Sequence, residues 1–233
     1  MTESSNKPND VGLSKQVIKT VFTESLKHNL FRFPPRFKDK TLRNFIGFED
    51  KVKTAIQALL NGESLFITGG CGTGKTHLAC GLAYLYYFEN ISLDPEYPEK
   101  YKYPEPPVFL PSIEFFLELK ESFDQNYSSE NQILSKYASF KFLVLDDVGA
   151  EKISDWSRQM FYALIDRRYR SLRQTIITSN LSLEQLSKTI DDRIASRIVE
   201  MGPIIHLGNA DHRLASQKER EKAIPGGKQN SAT

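Results

Sequence analysis

At 233 residues, 39% apolar and 26% charged, the chain has the make-up of a globular protein with one substantial core, and no run approaches the roughly eighteen apolar residues of a membrane span. Its formal charge of +2 argues neither for nor against nucleic acid, and Cys71 and Cys80 lack the spacing of a disulfide framework or a zinc site. The opening MTESSNKPND has no signal-peptide core, so a reducing cytoplasm is the expected location.

Residues 1–45 read as an arm. A polar stretch with a helical segment over 13–30 leads into FRFPPRFKDKTLRNF (31–45), whose prolines among cations suggest an extended basic linker rather than an element. Apolar positions at Val52, Ile56, Leu59 and Leu60 predict a helix over 48–60, closed by Asn61-Gly62. Short apolar runs then alternate with helical patterns. Strands are expected at 65–68, 108–110, 142–145, 175–178 and 204–207, and helices at 75–88, 112–123, 130–138, 155–172, 183–189 and 193–201. Buried strands between helices predict an α/β three-layer sandwich with a mainly parallel central sheet over 46–215. The Pro- and Tyr-rich LDPEYPEKYKYPEPP (93–107) reads as a surface insertion, a spacer or a contact loop, and 216–233 as a disordered tail.

Chemistry concentrates in four places. GGCGTGKTH (69–77) follows the first expected strand and fits G-x-x-x-x-G-K-[ST] as Gly69, Gly74, Lys75 and Thr76. Glycines let successive backbone N–H groups turn inward around a phosphate, and the following helix N-terminus adds partial positive charge. The candidate ATP-binding residues are Gly69, Gly70, Cys71, Gly72, Thr73, Gly74, Lys75, Thr76 and His77, with Cys71 and His77 the most replaceable. Lys75 is expected to reach the β and γ phosphates and to face solvent without nucleotide, while the Thr76 hydroxyl ligates Mg²⁺.

KFLVLDDVGAE (141–151) is an apolar strand ending in two carboxylates. Asp146 would hold Mg²⁺ and Asp147 would polarise an attacking water; an acidic strand end at a turn is the plainer alternative, which the nearby loop disfavours. In TIITSNLS (175–182), Asn180 can face the γ-phosphate, or it or Ser182 can cap the next helix. Arg193 and Arg197, four residues apart on one helix, and Arg213 suit either developing phosphoryl charge or surface ion pairs.

Taken together, PPRFKDKTLRNF, GGCGTGKTHLA, LVLDDVGAE, TSNLS, DRIASRIVEMG and DHRL, in order across 34–214, resemble the AAA+ ATPases, specifically DnaC/DnaI-type helicase loaders and IstB transposition ATPases. The resemblance implies Walker A at 69–76, Walker B at Asp146 and Asp147, sensor 1 at Asn180, the arginine finger at Arg197 and sensor 2 at Arg213. It implies a P-loop NTPase sheet with the Asn180 strand between the loop strand and the Asp146 strand, and ATP hydrolysis with Mg²⁺. Self-association through the ATPase domain, a replicative helicase partner and single-stranded DNA contact through the helices over 112–138 also follow from it. The chain departs from the family in its short arm without a zinc ligand set, its 93–107 insertion, and the little sequence after Arg213, which leaves a lid reduced or absent. A transposition helper and a nucleotide-gated adaptor with slow turnover are the alternatives; a small-molecule kinase would lack the Asn180 strand end and the Arg197/Arg213 pair. Candidate DNA contacts are Lys120, Lys136, Arg167, Arg168 and Arg170 with Phe115, Phe116 and Tyr127, set against helix-end cations and core aromatics.

Overall fold

The structure, a computed structural model, describes residues 33–97, 100–122, 127–149 and 154–208. In chain order it contains α1 (Glu49–Leu60), β1 (Leu65–Thr68), α2 (Lys75–Glu89), the short strands β2 (Ser92–Leu93) and β3 (Tyr101–Lys102), then β4 (Val108–Pro111), α3 (Ser112–Glu121) and α4 (Tyr127–Ser139). β5 (Phe142–Val148), α5 (Asp155–Arg170), β6 (Gln174–Ser179), α6 (Leu183–Thr189), α7 (Asp192–Met201) and β7 (Ile204–His206) complete it. The sequence-expected helix over 13–30, the tail, the region of a lid, and Arg213 lie outside the described residues.

Five strands pair in parallel in the order β4-β5-β6-β1-β7. This is the α/β P-loop NTPase arrangement, with β6 between β1 and β5 as the resemblance implies. Parallel strands need helical crossovers, so both sheet faces are covered and β1 reads as an unbroken apolar run, Leu-Phe-Ile, rather than an alternation. The alternating pleat still divides its side chains. Ile67 joins Leu78, Leu82, Val144 and Ile176 beneath α1 and α2, while Phe66 joins Leu143, Leu145, Phe161, Ile177 and Ile194 beneath the other helices. No described helix is long and apolar enough to cross a membrane.

The segment before α1 is not an extended linker. Pro35–Phe37 and Leu42–Asn44 are 3₁₀ turns, and Phe33 is buried with its ring 5.2 Å from Tyr84 and 5.7 Å from Phe109. Pro35 occupies a first-turn position, where its missing N–H is harmless, so the prolines permit what the aromatic residues drive. Leu42 lies so close to α2 that a Cβ on Gly81 would meet its backbone nitrogen at 2.8 Å. Within the 93–107 stretch, β2 and β3 form an exposed antiparallel ribbon, Leu93 opposite Tyr101, with the Lys100 ammonium 4.3 Å from the Tyr97 ring centre.

Of the candidate DNA contacts, three are buried and three more have partners within the chain. Phe115 and Phe116 are core residues, the Lys136 ammonium is 2.6 Å from Glu118, Arg167 donates to Ser135 and Asn131, and Arg170 pairs with Asp166. Arg168 is wholly buried. Its Nε donates to Thr175 Oγ1 at 2.8 Å, Nη1 to the carbonyls of Tyr137 (2.8 Å) and Phe140 (2.9 Å), and Nη2 to that of Gln174 (2.7 Å). Burial pushes its pKa down to about 9, with Arg173 adding to the effect, so it stays a cation at neutral pH and ties α4, α5 and β6 together. Arg168→Met should strip four acceptors of their donor and lower the unfolding free energy by about 3 kcal/mol or more, read by urea denaturation. A variant of unchanged stability that loses affinity for DNA would contradict this role.

Candidate nucleotide-binding and hydrolysis site

Where β1 ends, the chain turns over residues 69–74 into α2, and two glycines there have no substitute. Gly74 has φ of 94°, and a Cβ on it would stand 3.0 Å from Phe45 Cε2. A Cβ on Gly69 would stand 2.8 Å from the Gly208 carbonyl, because the turn after β7 closes on the loop: Gly70 N–H donates to Gly208 O at 2.9 Å. α2 has no side-chain N-cap, so its first N–H groups and partial positive charge point into the cradle. The donor set suits a polyphosphate.

Lys75 is buried rather than solvent-facing. Its Nζ donates to Gly69 O at 3.0 Å, Gly70 O at 2.7 Å and Asn180 Oδ1 at 2.7 Å. An ammonium has three donors and no acceptor, and taking it out of water requires such partners. Asn180 is free to serve because Ser182 caps α6 in a capping box with Gln185. Its amide then spans the site, with Nδ2 donating to Asp147 Oδ1 at 2.8 Å.

The two carboxylates differ. Asp146 is buried, and its pKa is raised by burial against the lowering effect of hydroxyls from Thr178 and Thr76. Thr76 Oγ1 donates to its two oxygens at 2.9 and 3.2 Å, and Thr178 Oγ1 donates to Oδ1 at 2.6 Å. Asp147 is exposed and left-handed, with φ of 58°, where the pairing of β5 with β6 slips between Leu145 and Val148. Consecutive residues of a regular strand point to opposite faces; this irregularity lets both carboxylates serve the same strand end. The Asp147 turn is held by its N–H donating to Thr178 Oγ1 at 2.9 Å and its carbonyl accepting from Ser112 Oγ at 3.0 Å.

The structure thus joins Lys75, Thr76, Asp146, Asp147 and Asn180 in one polar cluster. Thr76 and Asp146 offer adjacent hard oxygen donors, the few protein ligands that Mg²⁺ ordinarily takes, so the site fits that ion. Thr178 and Ser112 are the parts that the sequence reading missed. For Thr178 a signal exists: it stands two residues before Asn180, on the same side of the strand. Thr73 is buried and donates to Gly70 O, and Cys71 is exposed. His77 faces the arm, its Nε2 3.0 Å from Thr41 O and 2.8 Å from Asn44 Oδ1, with Phe45 edge-on to its ring. Burial lowers its pKa, so neutral imidazole joins arm and helix. Arg197 stands apart from the cluster: its Nε and Nη2 both reach Asp166 Oδ1, at 2.8 and 2.6 Å, while Arg193 forks onto Asp191.

The family described as IstB-like ATP binding protein matches residues 108–220. The replicative helicase loader DnaC of Escherichia coli (strain K12) is 24% identical over 138 residues, 59% of this chain and 51% of that protein, so the chain spans about half the length of this relative. The insertion sequence IS232 putative ATP-binding protein of Bacillus thuringiensis subsp. berliner is 22% identical over 196 residues, 82% of this chain and 68% of its own. Among solved structures, a crystal structure of the DnaC helicase loader superposes with a TM-score of 0.61 at 25% identity, covering 74% of this chain and 99% of that one.

Because Thr178 Oγ1 donates to the Asp146 carboxylate and accepts from the Asp147 N–H, Thr178→Val keeps the shape and removes both bonds. It should cost about 1–3 kcal/mol of stability and slow ATP turnover more than it weakens nucleotide binding. Chemical denaturation and steady-state assays read the two; unchanged turnover in a folded variant would mean that Asp147 needs no such support.

Proposed function

We propose that this chain, a member of the AAA+ group containing the DnaC/DnaI-type helicase loaders and the IstB-like ATP-binding proteins, is an ATP-hydrolysing DNA replication protein that loads a replicative helicase onto single-stranded DNA. The observation that carries the ATPase reading is the amide of Asn180, bonded on one side to the loop lysine and on the other to an exposed carboxylate. A structural ion pair has no use for that arrangement. Similarity to DnaC along nearly the whole of its solved chain supports the loader reading.

In this reading the loop N–H groups and the α2 N-terminus bind the ATP phosphates. Lys75 exchanges its carbonyl acceptors for phosphate oxygens, and Thr76 and Asp146 hold Mg²⁺, which supplies charge neutralisation when bound. The Asp147 carboxylate orients water and accepts its proton as the terminal phosphoryl group transfers to it, giving ADP and phosphate. Asn180 fixes the spacing between Lys75 and Asp147. Arg197 of a neighbouring copy stabilises the developing charge, and Arg213 acts on its own subunit's nucleotide.

Lys75→Ala should abolish ATP binding while the chain stays folded. Asp147→Asn should bind ATP but turn it over slowly, whereas Asp146→Asn should also lose Mg²⁺-dependent affinity; titrations and turnover that treat the two alike would refute the division of roles. Arg197→Ala should bind normally and hydrolyse poorly, since fingers supplied in trans are worth about 10³–10⁵ in rate in GTPases. Mixing it with Lys75→Ala should recover activity, because one copy brings the loop and the other the finger.

The IstB-like match and the IS232 relative favour a second reading, a transposition helper that binds DNA and a transposase. Salt-sensitive, ATP-dependent binding of single strands, together with capture of the host's replicative helicase, is the loader's expected behaviour. Preference for duplex DNA without helicase capture would select the transposition reading.

A further inference from the structure

Arg193 and Arg197 lie one turn apart on α7, yet they are held differently. Arg193 spends its fork on Asp191, Nε to Oδ1 at 3.0 Å and Nη2 to Oδ2 at 2.7 Å, and Asp191 also caps α7 by accepting from the Arg193 N–H. Arg197 instead reaches across to α5. Both its contacts fall on one oxygen of Asp166, whose other oxygen takes Arg170 Nη2 at 2.7 Å. One carboxylate shared by two guanidinium groups cannot cancel both, so Arg197 keeps cationic character. Tyr162, one turn before Asp166, lies 4.8 Å from the Arg197 guanidinium carbon and 4.4 Å from that of Arg193, and the Tyr169 ring lies 5.6 Å from Arg197.

We infer that Asp166 is a positioning residue for Arg197, holding its guanidinium over the Tyr162 ring with Nη1 left for the phosphates of a neighbouring copy. This rests on the trans role proposed for Arg197. Asp166 engages the Nε–Nη2 edge, and Nη1 makes only a 3.5 Å contact to Arg193 O, so of the five N–H donors the outer ones remain for an anion. A free arginine must lose about 2 kcal/mol of rotamer entropy to act; here much of that ordering precedes encounter with the substrate. The pair is partly open to solvent, 24% for Arg197 and 14% for Asp166, a setting in which an ion pair adds little to stability. Its value lies in orientation.

Asp166→Asn in the full chain tests this. The variant should bind ATP and melt as the wild type does, with KM little changed and kcat lowered about tenfold or more. Mixing with Lys75→Ala, which carries an intact Asp166–Arg197 pair, should recover turnover, a readout that a purely structural role would not give. Asp166→Asn/Arg197→Ala should be no slower than Arg197→Ala alone. If Asp166→Asn folds poorly, Tyr162→Leu removes the stacking ring and should show the same loss confined to kcat. Wild-type or faster turnover in Asp166→Asn overturns the inference, as does a loss that adds to that of Arg197→Ala. If Arg197→Ala is itself not rescued by Lys75→Ala, the trans reading falls and takes this role with it. Rescue of Arg197→Ala alongside a fully active Asp166→Asn sinks only the positioning role.

Discussion

Everything in this protein follows from a sheet whose five main strands are all parallel. Parallel strands bury both faces and bond to neighbours on both sides, which leaves their ends as the places where polar groups can gather without unmet desolvation costs. The order β5-β6-β1 brings three such ends side by side. One continues into the glycine loop, one carries the adjacent aspartates, and one leads to Asn180. The loop then delivers the N-terminus of α2 to the same edge, so the positive end of a helix meets the carboxylates at the end of β5.

Convergence alone would leave buried charges unpaired. Lys75 and Asp146 are both nearly inaccessible, and among the described residues each is bonded by neutral groups: carbonyls and an amide at the lysine, hydroxyls at the aspartate. A direct salt bridge would hold each charge against the other. Hydrogen bonds from neutral groups to a charge are worth about 1.5–3 kcal/mol net, and a phosphate or metal of opposite charge can replace them without first separating an ion pair. Burial already pushes Asp146 toward its neutral form, and a cation at its oxygens would reverse that. The left-handed backbone at Asp147 belongs to the same design, because it turns a second carboxylate out of the sheet at a position where regular strand geometry would hide it.

The five strands and the helices between them were legible within a few residues, because an apolar run between turn signals and a 3.6-residue period are local properties. So were Lys75, Thr76, Asp146, Asp147 and Asn180 as members of one cluster, since strand ends in a parallel sheet must meet. What stayed hidden is what depends on packing between distant segments. The prolines at 34 and 35 argued for a linker, but Phe33 and Phe37 find aromatic partners on α2 and β4 that no window of the arm reveals. Arg168 looked like any basic residue near a helix end; only the meeting of α4, α5 and β6 gives it four acceptors. Lys75 was expected in solvent because its pattern describes a phosphate contact and says nothing of the carbonyls beside it.

The same division between local and distant bears on the proposed hydrolysis, because among the described residues Lys75 is the one cation within the cluster. Lys75 is fixed to the loop, and the Arg168 guanidinium is spent on the far side of α5. Arg197, the candidate for a second cation, is fastened to α5 through Asp166 and contributes nothing to the cluster of its own chain. In the proposed assembly each copy would therefore bind ATP with its own loop and hydrolyse it with its neighbour's arginine. Binding would use groups of one copy, while turnover would require association. Such a separation would couple the chemical step to assembly on a partner without any movement inside the sheet, and the partly exposed Arg197–Asp166 pair, rather than the buried cluster, is where that coupling would be tuned.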